Sequence, residues 1–177
     1  NGLPRAEALF GIAEDMYRGF LVDVYGKICA VMSSNIFGPA SIVFDGQNAD
    51  VIESKPEERP YFQIYLHKPM ILYNLTIMPR SNKRFSCLRL HSLNVTAGPS
   101  QNSTTDCQYY PGVPTGGPCQ NVSVRVTCQA PLIARFIQLQ ITRSYTLCSP
   151  THECTYCELN SVLNNCLSFS EVTLNPP

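Results

Sequence analysis

The chain has 177 residues, enough for one domain with a substantial core and short for two. Lys+Arg and Asp+Glu number 13 each, so the formal net charge is zero, and no basic stripe with interleaved aromatics speaks for a nucleic-acid partner. No apolar run approaches the roughly 20 residues that span a bilayer, and Asn1-Gly2-Leu3-Pro4 lacks the basic and apolar regions of a secretory signal.

Residues 1–25 read as a separate N-terminal segment. Leu9, Ile12, Met16 and Phe20 recur three or four positions apart after Pro4, the spacing of an amphipathic helix, although Gly11 and Gly19 weaken it. A leader laid along the domain fits as well. From Gly26 the pattern becomes that of a β protein. Residues 27–31 form a short strand, 33–39 a turn-rich loop, and 41–44 lead into the sharp turn Asp45-Gly46. Residues 50–60 are a charged surface loop.

Residues 61–66 nearly alternate apolar with polar. In 71–79, Ile71, Tyr73, Leu75 and Ile77 share one parity, and Asn74 and Thr76 the other. Period two marks a half-buried strand, because successive side chains point to opposite sides of a sheet. In 87–95, Leu88 and Leu90 have one parity and Leu93 and Val95 the other, which puts a bulge or corner at His91-Ser92. Residues 99–120 hold four Pro and three Gly and read as a long irregular loop. Strands follow at 121–128, with Val122, Val124 and Val126 inward, and at 134–143, with Ile137, Leu139 and Ile141 inward. A cysteine cluster spans 148–166, and 167–174 is a closing strand. The expectation is an all-β fold over residues 26–177: a jelly-roll β-sandwich of about eight antiparallel strands with a disulfide-rich C-terminal tail.

Nine cysteines are present: Cys29, Cys87, Cys107, Cys119, Cys128, Cys148, Cys154, Cys157 and Cys166. Four N-glycosylation sequons accompany them, at Asn74, Asn94, Asn102 and Asn121, each placeable outside a core. Together they imply an oxidising, extracellular setting and disulfides, one of them among Cys107, Cys119 and Cys128. The odd count leaves one thiol free or paired between chains, so a disulfide-linked or larger assembly is an open expectation. Cys154-x-x-Cys157 has zinc-ligand spacing, but the sequons favour disulfides.

In order along the chain, several pieces resemble one family. Gly38-Pro39-Ala40-Ser41 and Asp45-Gly46 resemble the opening of galactose-binding-like, discoidin-type jelly rolls. Arg80, Cys87-Leu88-Arg89-Leu90 and Val95-Thr96-Ala97-Gly98 resemble a segment of the F-type lectins (fucolectins). Ala134-Arg135-Phe136-Ile137 and Tyr156-Cys157-Glu158-Leu159 resemble that domain's later strands. The resemblance runs from about Gly26 to Val162 and implies two sites. One is a structural calcium site with carboxylates from Asp45 and Glu158, backbone oxygens from Ile42, Gln47 and Cys157, and a further ligand from Ser54; hard Ca2+ takes oxygen ligands gathered from separate loops. The other is a sugar pocket with Arg80 and Arg89 at its two basic positions, where a rigid fork of donors suits sugar hydroxyls. This chain departs from that pocket. Asn82 replaces an Asp, Lys83-Arg84-Phe85-Ser86 are inserted, and Lys55 is the residue nearest the expected His. The resemblance also leaves Cys157 to another partner, with Cys29 a candidate.

Catalysis has little support. His67, His91 and His152 sit in no catalytic motif, and no carboxylate pair is assignable to acid–base work. His91 reads as a sheet-surface side chain. The expected function is an extracellular lectin-like module binding glycans or a protein partner through loops at one end of the sandwich. The alternative is an assembly or adhesion domain with an eroded sugar site. On the first reading, Arg80→Ala abolishes glycan capture and leaves the fold intact.

Overall fold

The computed structural model describes residues 21–25, 28–35, 40–46, 50–80, 86–112, 123–143 and 165–176. Among them are eight strands: β1 (Leu21–Tyr25), β2 (Ile28–Met32), β3 (Ile52–Glu53), β4 (Tyr61–Pro79), β5 (Leu93–Ser100), β6 (Ser103–Tyr110), β7 (Val124–Ile141) and β8 (Ser168–Leu174). Every pairing is antiparallel, in the order β1-β2-β4-β7-β5-β6, with β8 joining β4 to β3. The chain is an all-β sandwich.

Two long strands organise it. The first half of β4 pairs with β2 and with the end of β7, and its second half pairs with β8 and the start of β7. β4 and β7 thereby run through both layers. The core between the layers holds Met32, Phe62, Ile64, Leu75, Ile77, Leu93, Ile137, Leu139 and Phe169, all fully buried. Phe62 on β4 meets Phe169 on β8 edge to face, with ring centroids 5.1 Å apart. In the first half of β4 both faces are buried. Opposite the core, Tyr65 donates to Gln63 Oε1 at 3.0 Å, Gln63 Nε2 donates to Gln138 Oε1 at 2.8 Å, and the Tyr65 ring packs on Phe136.

Several expectations change. The sheet begins at Leu21 rather than after Gly26, because Leu21–Tyr25 pairs along its whole length with β2. Residues 1–20, where the helical spacing lies, are outside the described residues. Residues 61–66 and 71–79 are one strand, with register shifts between Tyr65 and Met70 and between Leu72 and Asn74. The second shift reverses parity. Leu72, Leu75 and Ile77 are buried, whereas Ile71 and Tyr73 face solvent. Residues 87–95 are not one strand. Ser86–Arg89 is a 3-10 turn, Ser92 has φ 45°, and β5 starts at Leu93, so the parity switch is a corner. The expected loop at 99–120 contains β6. That strand lies at the sheet edge and buries only Cys107, so its sequence carries no apolar alternation. No helix among the described residues is long and apolar enough to cross a membrane.

Candidate functional site

Glu53 ends β3, opposite Ser168 of β8. Arg80 follows the last residue of β4, and Arg89 closes the 3-10 turn Ser86–Arg89. Both arginines donate through Nη1 to one oxygen, Glu53 Oε2. All three side chains are enclosed, at 6–7% exposure. The two basic positions of the expected sugar pocket are therefore brought together, but around a carboxylate that the sequence reading did not single out. Its two-residue strand is too short to leave a periodic signal. Such a triad is electrostatically coupled, because charges removed from water must satisfy one another.

Lys55, two residues on, is exposed. Its loop is held from both sides. Ser54 Oγ accepts from Leu167 N at 3.0 Å and donates to Lys55 O at 2.9 Å. Ser34 Oγ accepts from Lys55 N at 2.9 Å and donates to Glu57. Asn165 Nδ2 donates to Glu58 O at 2.6 Å. The Ser54 hydroxyl is thus engaged within the chain, and nothing in its contacts points to a cation. His91 is not on the sheet surface. It is buried at 6% exposure, and burial lowers its pKa to about 4 against a partly offsetting hydrogen bond with the Asn165 side chain.

The implied calcium ligands divide. Gln47, Cys157 and Glu158 lie outside the described residues. Asp45 N donates to Ile42 O at 3.3 Å, and Gly46 has φ 77°, which fixes the Asp45-Gly46 turn. The carboxylate that β8 brings to this turn is Glu171. Its pKa is raised to about 7, first by burial and then by the negative charge of Asp45, while a hydrogen bond from the Gly46 backbone holds it down. Its Oε2 is buried with no hydrogen-bond partner. Two carboxylates beside a fixed turn, one with an orphaned oxygen, fit a hard cation. No group of three or more His, Cys, Asp or Glu among the described residues could hold a metal. The sequence signal for Glu171 was slight: it is the one charged residue of the closing strand Ser168–Leu174.

Cys107 is bonded to Cys128, tying β6 to β7. Cys87 and Cys166 are also disulfide-bonded. Cys29 lies in β2 at 0% exposure. Cys119, Cys148, Cys154 and Cys157 lie outside the described residues. Asn102 is exposed at the β5–β6 turn. Asn94 is half-buried and donates from Nδ2 to Asp106 Oδ1 at 3.0 Å. Asn74 is half-buried in β4, and Asn121 is outside the described residues.

No protein-family model matches the chain, and no curated protein matches it in sequence. Solved structures do match. A family 32 carbohydrate-binding module of Clostridium perfringens NanJ, in complex with galactose, superposes at TM-score 0.61 with 14% identity, over 88% of this chain and 98% of that one. A fucose-binding module of Streptococcus pneumoniae gives TM-score 0.60 with 18% identity, over 88% and 95%. The serum fucolectin of striped bass gives TM-score 0.62 with 16% identity, over 84% of this chain and 46% of that one. The fold is that of the galactose-binding-like, F-type lectin domains. At these identities the likeness establishes the architecture; the ligands named belong to those proteins.

Proposed function

We propose that this galactose-binding-like domain is an extracellular, non-catalytic, lectin-like module that takes glycans through the loop end carrying Lys55, Arg80 and Arg89. The observation that carries the reading is the convergence of Arg80 and Arg89 on Glu53 next to the clamped Lys55 loop. A guanidinium offers five N–H donors in a fixed fork, and a carboxylate between two such forks accepts from a sugar hydroxyl while holding both in place. Calcium supports this end as a structural ion, held by Asp45 and Glu171 with backbone oxygens of the Asp45-Gly46 turn; its double charge offsets their repulsion.

The test is a glycan array probed with the secreted protein, with calcium and with chelator. Capture that falls at least tenfold in Lys55→Ala, with the unfolding curve unchanged, supports the pocket. Lys55 suits this comparison because it is exposed; Arg80→Ala does not, since it would break a buried triad and unfold the site along with any pocket.

A second reading is favoured by one feature of the same site. Glu53 takes both guanidiniums, and the triad is almost fully enclosed. A triad that serves only as a structural tie leaves a closed loop end suited to protein contacts, as in an assembly or adhesion domain. A blank array from folded protein, with a stable complex isolated from the extracellular fluid, would favour it.

A further inference from the structure

The largest apolar exposure among the described residues lies in β4 and β7. Ile133 is 64% exposed, Ile71 52% and Tyr73 51%. Ile71 and Ile133 are directly paired across the strands, so their side chains stand on the same face. An exposed apolar cluster of this kind is often a contact site.

The register shift beside it has a specific consequence. Leu72 pairs with Leu132 and Asn74 with Thr127, so Cys128, Gln129, Ala130 and Pro131 lie opposite the single Tyr73. Because Leu72 and Leu75 both face the core, Tyr73 and Asn74 must share the solvent side between them. The arrangement is fixed by Asn175, at φ 46°. Its Oδ1 accepts from Tyr73 N at 2.8 Å and from Asn74 N at 3.3 Å; its Nδ2 donates to Ile71 O at 2.7 Å; its own N donates to Asn74 O at 2.8 Å. Asn74 opens the sequon Asn74-Leu75-Thr76. Its Oδ1 is buried without a partner. The two ends of a planar amide diverge, so Nδ2, the atom that accepts a glycan, is turned the other way.

We propose that Asn74 is N-glycosylated and that its first N-acetylglucosamine packs on Tyr73, Ile71 and Ile133, covering this patch with the chain's own sugar. The sugar is amphipathic: its axial C–H groups form an apolar face that lies on an aromatic ring, while its hydroxyls stay in water. The tethered sugar also loses little further freedom on packing, because the covalent bond already holds it beside the ring. Asn94 and Asn102 lack this setting. Asn94 spends Nδ2 on Asp106, and the exposed neighbours of Asn102 at its turn, Gln101 and Ser103, are polar. The proposal rests on the extracellular reading alone, and a blank glycan array does not touch it.

The test uses the full chain secreted from a glycosylating eukaryotic host. Peptide mass spectrometry reads occupancy at Asn74, and thermal unfolding is compared for the intact protein, for protein trimmed enzymatically to a single N-acetylglucosamine, and for Asn74→Gln. Thr76→Ala removes the sequon by a second route. Expected are an occupied Asn74, no change on trimming, and a midpoint lower by roughly 2–4 °C in both sequon variants, a typical response of a chain this size to losing one modest interaction. In the Tyr73→Ser background the sugar should make a clearly smaller difference to the midpoint, since only Ile71 and Ile133 remain beneath it. An unoccupied Asn74, or equal loss with and without the Tyr73 ring, overturns the proposal. So does a concentration-dependent dimer of the Asn74→Gln chain that Ile133→Asp dissociates, which would assign the patch to a second copy.

Discussion

Glu53 decides whether the loop end is a pocket floor or only a tie. Removing one partner of a buried ionic group leaves the others uncompensated, at a cost of about 3–5 kcal/mol. Glu53→Gln should therefore lower the urea midpoint strongly, and Lys55→Ala should leave it where it is. Equal, small effects from the two substitutions would mean that the triad is not closed in solution. His91 supplies a separate pH signature. Its folded pKa, about 4, lies below the ordinary 6.5. Its contribution is present in full above pH 6.5 and is lost as pH falls from there toward 4, because in that window the unfolded chain binds the proton more readily. Between pH 7 and pH 5 this amounts to roughly 2 kcal/mol. Urea unfolding of the wild type against His91→Gln should show the acid loss shrinking in the variant. An identical pH slope would place His91 in water.

At the scale of elements, what the sequence disclosed follows from burial. Period-two patterning marked the strands that cover the core, such as Ile137, Leu139 and Ile141 in β7. It failed where burial is not one-sided. β6 is polar at its edge, β3 is two residues long, and the first half of β4 is buried on both faces. The parity of Ile71 and Tyr73 misled because an irregular register, not alternation, decides which side they face. One marker of the β5–β6 hairpin is a glycine whose role is visible only in three dimensions. A Cβ on Gly98 would sit 1.8 Å from Ser103 O, so only glycine lets the two strands close. Gly98→Ala should cost about 1–3 kcal/mol, the usual range for an overpacked site. A thermal midpoint unchanged from wild type would show that the hairpin opens freely, even though Cys107–Cys128 fastens β6 to β7.

For the whole molecule, the resemblance in scattered motifs proved sufficient for the architecture. The order of pieces along the chain tracks the sandwich, but sequence distance hides which charged groups meet in space: Glu53 between Arg80 and Arg89, and Glu171 beside Asp45. The second pair makes a prediction about the entire domain. Without a cation, Glu171 has a folded pKa raised to about 7. Its protonated form is then favoured in the fold, and that advantage fades as pH rises from about 4.5 through 7. A calcium ion at Asp45 and Glu171 would reverse the sense, because it binds the ionised form, and it would raise stability by mass action, by about 2.7 kcal/mol at a hundredfold excess over its Kd. Thermal unfolding at pH 7.5 in calcium against chelator should separate by several degrees. The gap should narrow at pH 5, where protons compete, and vanish in Glu171→Gln. Coincident curves at both pH values would remove calcium from the domain.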